Sequence, residues 1–177
     1  MTLPGLFIEY LVSGSLALLW LLHLLPDEAA TLQPWHAPIV AAFLYVVGMS
    51  IDVVAFGVLR PAKWRLRRRV AMHLKLAHYS TSGSASARLA FLQKSAPAIA
   101  AEIGARSSRD RIARCTFVNV VLFSVLGQSG WHFGYLLALC LASFGMWLFF
   151  EASSHSYELR AAQELGYVPK LAAQSDA

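Results

Sequence analysis

The chain has 177 residues, of which 57% are hydrophobic and 14% charged, with a formal net charge of +5. A soluble domain of this size carries roughly 25% charged residues, so the composition argues against an ordinary water-soluble fold and for the bilayer as solvent. The excess charge does not by itself imply nucleic acid: thirteen of the fifteen Lys and Arg residues lie between Arg60 and Arg114, which marks one basic loop.

Four apolar stretches follow one another along the chain, over about 3–25, 38–59, 112–128 and 131–152. Each approaches the ~17 to 25 residues that a helix needs to cross a hydrocarbon core, and a helix is the one open segment that satisfies its own backbone there. The first stretch is not expected to be a cleaved signal peptide, because no Lys or Arg precedes it, Glu9 interrupts it and no A-x-A site follows. The third is the shortest and most polar. The expected fold is an all-α membrane protein of four transmembrane helices in two hairpins. A basic cytoplasmic helical hairpin lies between spans two and three. The corresponding segments are a first hairpin over 1–59, the basic loop over 60–111, a second hairpin over 112–152 and a cytoplasmic C-terminal helix and tail over 153–177.

The connections set the orientation. Pro26 to His36 carries Asp27 and Glu28 and no base, and Gln128 to Gly130 is a tight turn. The basic loop between spans two and three belongs in the cytoplasm by the positive-inside rule, which puts both termini inside as well. Trp35 and Trp131 then fall at the outer turns and Trp64 just past the inner end of span two, where interfacial aromatics gather. Trp20 and Trp147 lie deeper, as belt or packing residues.

Within the loop, Leu66, Val70, Leu74 and Ala77 recur at helical spacing from Pro61 to about His78. Thr81 to Ser86 reads as a flexible break. Leu89, Leu92, Ala96, Ile99 and Ile103 then form a second apolar stripe to about Arg106, which Pro97 should kink or divide. Ser107 or Ser108 is placed to cap the helix entering span three, with Asp110 in its first turn. Beyond span four, a helix is expected to run on through Tyr157 to Leu165 and stop at Gly166.

Ionisable groups inside a span cost roughly 2.5 to 3.5 kcal/mol each at its centre, so those retained are candidate functional residues. Glu9 lies about 9 Å and Asp52 about 12 Å from the inner ends of their spans at ~1.5 Å per residue. Asn119 and Glu151 fall in the same leaflet, which gives an intramembrane polar layer of Glu9, Asp52, Asn119 and Glu151. The layer reads in two ways. Glu9, Asp52 and Asn119 line a water-filled vestibule or pore, or Glu9 and Asp52 are neutral, or pair with Arg60, Arg111 or Arg114, and hold the bundle together. Lys63, Trp64, Arg65, Arg67, Arg68 and Arg69 form a juxtamembrane cluster that suits anionic lipid headgroups or an acidic partner; no nucleic-acid module surrounds it. Gly134, Ala138, Ala142 and Gly145 form a small-residue stripe suited to helix packing, within the chain or between subunits.

No metal centre or cofactor is expected. His73 and His78 are off one helical face, His23, His36 and His132 lie toward the outer side, and His155 is expected to be solvated. Cys115 and Cys140 are read as packing residues at different depths, without a disulfide. No phosphate-binding, dinucleotide, zinc-protease or serine-hydrolase motif is present in the sequence, so no enzymatic activity is expected.

The general look is that of small bacterial inner-membrane proteins, and the expected location is that membrane. The leading expectation is a non-enzymatic homo-oligomeric subunit that engages a cytoplasmic protein or signal and forms or gates a pore. Such a part suits a sensor or effector in bacterial stress or anti-phage defence. The alternatives are a scaffold that recruits a cytoplasmic protein without conductance, and a small transporter or membrane enzyme using Glu9 and Asp52 for proton transfer.

Overall fold

A computed structural model describes residues 3–21, 24, 37–77, 85–126 and 133–167. These form five helices, α1 (Leu3–Leu21), α2 (Ala37–His73), α3 (Ala85–Ser95), α4 (Pro97–Leu126) and α5 (Phe133–Glu164), with no strand among the described residues. The all-helical expectation agrees with this. Two helices are long and apolar enough to cross a membrane: α2, with a window of mean hydropathy 2.3, and α5, with one of 1.7. Phe7–Leu21 is a shorter apolar helix. The stretch read as span three is the C-terminal half of α4, whose first half is rich in charge. Trp35, Trp131, His23, His36, His78 and His132, both outer turns and the chain beyond residue 167 lie outside the described residues.

Helix boundaries depart from the sequence reading in three places. The span and loop helices expected on either side of Arg60 are one helix, α2, with Pro61 inside it. Proline removes one backbone donor and crowds the carbonyl four residues back, which here belongs to Gly57, a residue with open space around it. Ser107 and Ser108 cap nothing, because α4 runs unbroken through them. The Glu102–Arg106 pair at 3.0 Å bridges one turn just before that point, and the Ser108 hydroxyl bonds a side chain on another helix instead. Finally, α2 stops short of His78. Lys75 takes φ 57, Leu76 N donates to Ala71 O at 2.9 Å and Lys75 N to Met72 O at 3.0 Å. That is the double bond of a Schellman ending.

Two expected breaks are where the sequence put them. Pro97 divides α3 from α4. Gly166, at φ 71, ends α5 with the same pair of bonds, Tyr167 N to Ala162 O at 2.9 Å and Gly166 N to Gln163 O at 3.1 Å.

The chain divides into two compact units, one of Met1–Leu59 with Ser108–Trp147, the other of Arg60–Ser107 with Leu148–Ala177. In the first unit, Ala17, Ile51, Ala55, Cys115 and Val118 form a buried core flanked by Trp20, Val47 and Leu122. The backbones of α1 and α2 touch. A Cβ added at Gly14 would fall 1.9 Å from Leu44 O, and one added at Gly48 2.0 Å from Tyr10 O. Only glycine fits a crossing that close. Trp147 is fully buried against Phe144, ring centroids 5.6 Å apart, and so is a packing residue.

In the second unit, Leu92, Ala100, Ile103 and Ala161 form one core cluster, with Leu89, Ile99 and Tyr157 packed on it. The apolar stripe read from Leu89 to Ile103 faces this core. A second cluster joins Ala71, Leu76 and Leu159. It supplies the hydrophobic contact between the residue after the helix stop and the last turn that accompanies a Schellman ending.

Candidate functional site

In the first unit the expected acidic residues are paired, Glu9 buried and Asp52 half-buried. Glu9 is 7% exposed. It accepts from Arg111 Nη1 at 2.6 Å and from the Ser108 hydroxyl. Asp52 accepts from Arg114 Nη2 at 2.6 Å and Nε at 2.9 Å, and from the Cys115 thiol at 3.5 Å. Arg111 also lies 3.7 Å from Asp52, and Arg114 lies 3.6 Å from Asp110. Five charged side chains therefore form one chain of contacts, Glu9, Arg111, Asp52, Arg114 and Asp110, with three acids against two guanidiniums. The guanidiniums also sit over aromatic rings, Arg111 at 5.8 Å from Tyr10 and Arg114 at 5.5 Å from Phe56.

This arrangement follows from helix geometry. Arg111 and Arg114 are three apart on α4, so they share one face, and Asp110 joins Arg114 at four. Glu9 and Asp52 come to that face from α1 and α2. Asn119, at 2% exposure, continues the polar line: its Nδ2 donates to Ser13 O at 3.1 Å and its Oδ1 accepts from Trp20 Nε1 at 3.0 Å. Both groups of the amide are thus used, and Trp20 is a packing residue.

Glu151, the fourth member of the expected layer, belongs to the second unit. It is 1% exposed and meets Lys63 Nζ at 2.7 Å and Arg67 Nε at 2.5 Å. The basic cluster therefore splits. Lys63 and Arg67 turn onto Glu151, whereas Arg65, Arg68 and Arg69 are exposed. Trp64 is exposed as well, with the Arg68 guanidinium 5.7 Å above its ring. Arg60, the remaining expected partner of the acids, is also exposed.

Sequence reasoning missed a second buried pair. Arg88, 3% exposed, donates from Nε to Glu158 Oε1 at 3.0 Å, with Nη2 at 2.9 Å. His155 is 2% exposed, not solvated, and its Nδ1 lies 3.7 Å from Glu158. Continuation of α5 past the expected span carries this turn into the core of the second unit. Burial pushes the Glu158 carboxyl up, but the His155 imidazole and the Arg88 guanidinium outweigh it and hold the group below its ordinary 4.5. The signal that would have found the pair is Arg88 itself, which sits four residues before the buried Leu92 and so on the apolar face of α3.

Among the described residues nothing packs on the small-residue stripe: Gly134, Ala138, Ala142 and Gly145 are all exposed, and a Cβ at either glycine meets open space. Cys115 is buried and Cys140 half-buried, both as free thiols. Among the described residues no group of His, Cys, Asp and Glu side chains is arranged to hold a metal ion.

Comparison with protein families, curated proteins and solved structures finds no match for the chain.

Proposed function

We propose that the chain is a four-span membrane scaffold without enzymatic activity. Its first unit lies in the bilayer, and its second is a folded helical module held at the cytoplasmic face to engage a soluble partner. One observation carries the reading. Nineteen of the twenty-two large hydrophobic side chains exposed among the described residues belong to the first unit, the exceptions being Trp64, Met72 and Phe149. The same unit buries Glu9, Ser13, Asp110, Arg114, Asn119 and Ser143. Apolar side chains outward and polar side chains inward is the arrangement that lipid favours, and exposed apolar surface on this scale is foreign to a soluble monomer. The second unit carries only three of those exposed side chains, and it encloses apolar clusters together with buried polar groups, Arg88, Glu151, His155 and Glu158. Its retention of a core and of its own buried ion pairs supports a role beyond connecting two spans.

The pairing of the acids favours a scaffold over a pore or proton relay. A carboxylate that passes cations must exchange partners, whereas Glu9 and Asp52 are each fixed by a guanidinium at 2.6 Å. The expected location remains the bacterial inner membrane with both termini inside, and self-association is proposed along the outward stripe of α5. The decisive experiment reconstitutes the full chain in liposomes and records ion flux, alongside recovery of co-purifying proteins after gentle solubilisation. A scaffold gives no flux above protein-free liposomes and a stoichiometric soluble partner. Flux that disappears in Glu9→Gln or Asp52→Asn would replace this reading with the conducting one.

A further inference from the structure

Two helices of the second unit leave an open groove of about 460 Å³ between them, within the roughly 300–1,000 Å³ of small-molecule sites. One wall is α2, with Arg69, Val70 and His73; the other is α5, with Phe149, Ser153 and Ser156. Its polar side chains are Arg69, His73, Ser153 and Ser156, none of them acidic. Arg69 is exposed and has no carboxylate partner among the described residues. The Ser153 hydroxyl oxygen already accepts from Arg106 Nη1 at 3.2 Å, which leaves its own hydrogen to donate. Arg106 is held there by Glu102 at 3.0 Å and by the Tyr157 ring at 4.3 Å. Ser156 is spent on the Ser153 carbonyl at 2.9 Å. Glu102 is already committed to Arg106, Glu151 to Lys63 and Arg67, and Glu158 to Arg88, so the groove retains net positive charge through Arg69.

The apolar part of the groove is equally placed. Phe149 is 68% exposed and belongs to the last turn of the apolar stretch of α5, while Ser153 lies in the polar continuation that begins at Glu151. The groove is therefore amphipathic along α5, from ring to hydroxyl in a single turn. A positively charged end next to an exposed aromatic side chain complements a phosphodiester joined to an acyl chain. We propose that this groove is a specific site for a single anionic phospholipid. The phosphate would be bound by Arg69, His73 and the Ser153 hydroxyl, with the glycerol and upper chain lying against Val70 and Phe149. The proposal rests on the membrane reading above, and it differs from diffuse attraction of headgroups to a basic surface by naming one stoichiometric site.

The test uses full-length protein in nanodiscs of phosphatidylcholine containing phosphatidylglycerol, with retained lipid counted by native mass spectrometry. One phosphatidylglycerol per chain is expected. Arg69→Gln should weaken retention at least tenfold, as loss of a charge-assisted hydrogen bond does, and Ser153→Ala should weaken it by a smaller factor. Arg65→Gln removes an equally exposed cation outside the groove and should cost no more than the roughly fivefold of a general surface charge. Equal losses in Arg65→Gln and Arg69→Gln would overturn the site in favour of diffuse attraction. Displacement of the lipid by an equal concentration of glycerol phosphate would overturn it in favour of a soluble anion. Carbonate extraction of cell membranes separates the two levels. Release of the wild-type chain removes the membrane reading and the lipid site together. Retention, combined with either overturning result, removes the lipid site alone.

Discussion

The contact between Asp52 and Arg114 is the residue-scale feature on which the first unit depends most. Both side chains are nearly enclosed, at 13% and 10% exposure, and removing one partner of such a pair leaves a buried charge without compensation, at about 3 to 5 kcal/mol. Arg114→Gln is therefore expected to destabilise the protein by about 3 kcal/mol in detergent unfolding, and Asp52→Asn to restore part of the loss when added to it. Additive single and double variants would show that the two side chains do not depend on each other. Arg88 and Glu158 make a second prediction, with a sign fixed by linkage. The folded carboxyl titrates below its ordinary 4.5, so the unfolded chain binds the proton more readily. The stabilisation is present at neutral pH and is lost as the pH falls below about 5 toward the lower folded value. Trp64 fluorescence in the second unit should report an acid-induced transition whose pH slope is shallower in Glu158→Gln; an unchanged slope would place the titrating group elsewhere. The sequence made the first network partly legible, because acids inside apolar runs stand out and Arg111 and Arg114 lay within reach. It hid most of the second, since the one local signal, Arg88 four residues before Leu92 on the apolar face of α3, does not show which acid it meets, and Glu158 occupies an ordinary amphipathic helix.

Helix ends show where local sequence is a sufficient guide. Pro97 and Gly166 act by backbone chemistry of their own, a missing donor and freedom at positive φ, and both are breaks in the structure as in the reading. Lys75 has no such chemistry. It holds φ 57 only because Leu76 must reach the cluster of Ala71 and Leu159, a tertiary demand that no spacing reveals. An L-residue in this region costs about 1 to 2 kcal/mol, so Lys75→Gly should raise stability by up to about 1 kcal/mol. Thermal unfolding in detergent measures this directly, and a loss of stability would show that the lysine side chain contributes more than its strain. The α1–α2 crossing gives the converse case. Sequence reading weighted the small residues of α5, while the close approach uses Gly14 and Gly48, which lie on different helices and carry no common spacing. Gly48→Ala places a methyl 2.0 Å from the Tyr10 carbonyl oxygen. That forces the backbones apart, and the variant should lose several degrees of melting temperature or fail to assemble, whereas Gly57→Ala, in open space, should not.

At the scale of the whole molecule, the periodicity of apolar residues is enough to give an all-helical chain with apolar helices, but it cannot decide what lies against each exposed face. The stripe of Gly134, Ala138, Ala142 and Gly145 is the instructive example. On sequence alone it serves equally for packing inside the chain or between chains, and none of the described residues packs on it. In lipid there is no hydrophobic gain in joining two apolar helices, so association depends on close van der Waals contact and on backbones that can approach. Exposed leucines nearby, such as Leu137 and Leu141, can be solvated by acyl chains as well as by another helix, whereas a groove of small residues packs better against a complementary helix than against mobile lipid. Self-association along α5 therefore predicts a position-specific response. Ala138→Leu or Ala142→Leu should fill the groove and weaken the homo-oligomer about tenfold, near 1.4 kcal/mol. Leu137→Ala, which removes bulk from an exposed position about 100° round the helix from the middle of the stripe, should leave the assembly unchanged. Analytical ultracentrifugation in density-matched detergent distinguishes these outcomes. A wild-type monomer at all concentrations, or equal effects from the three variants, would assign the stripe to lipid and leave the scaffold to act as a single chain.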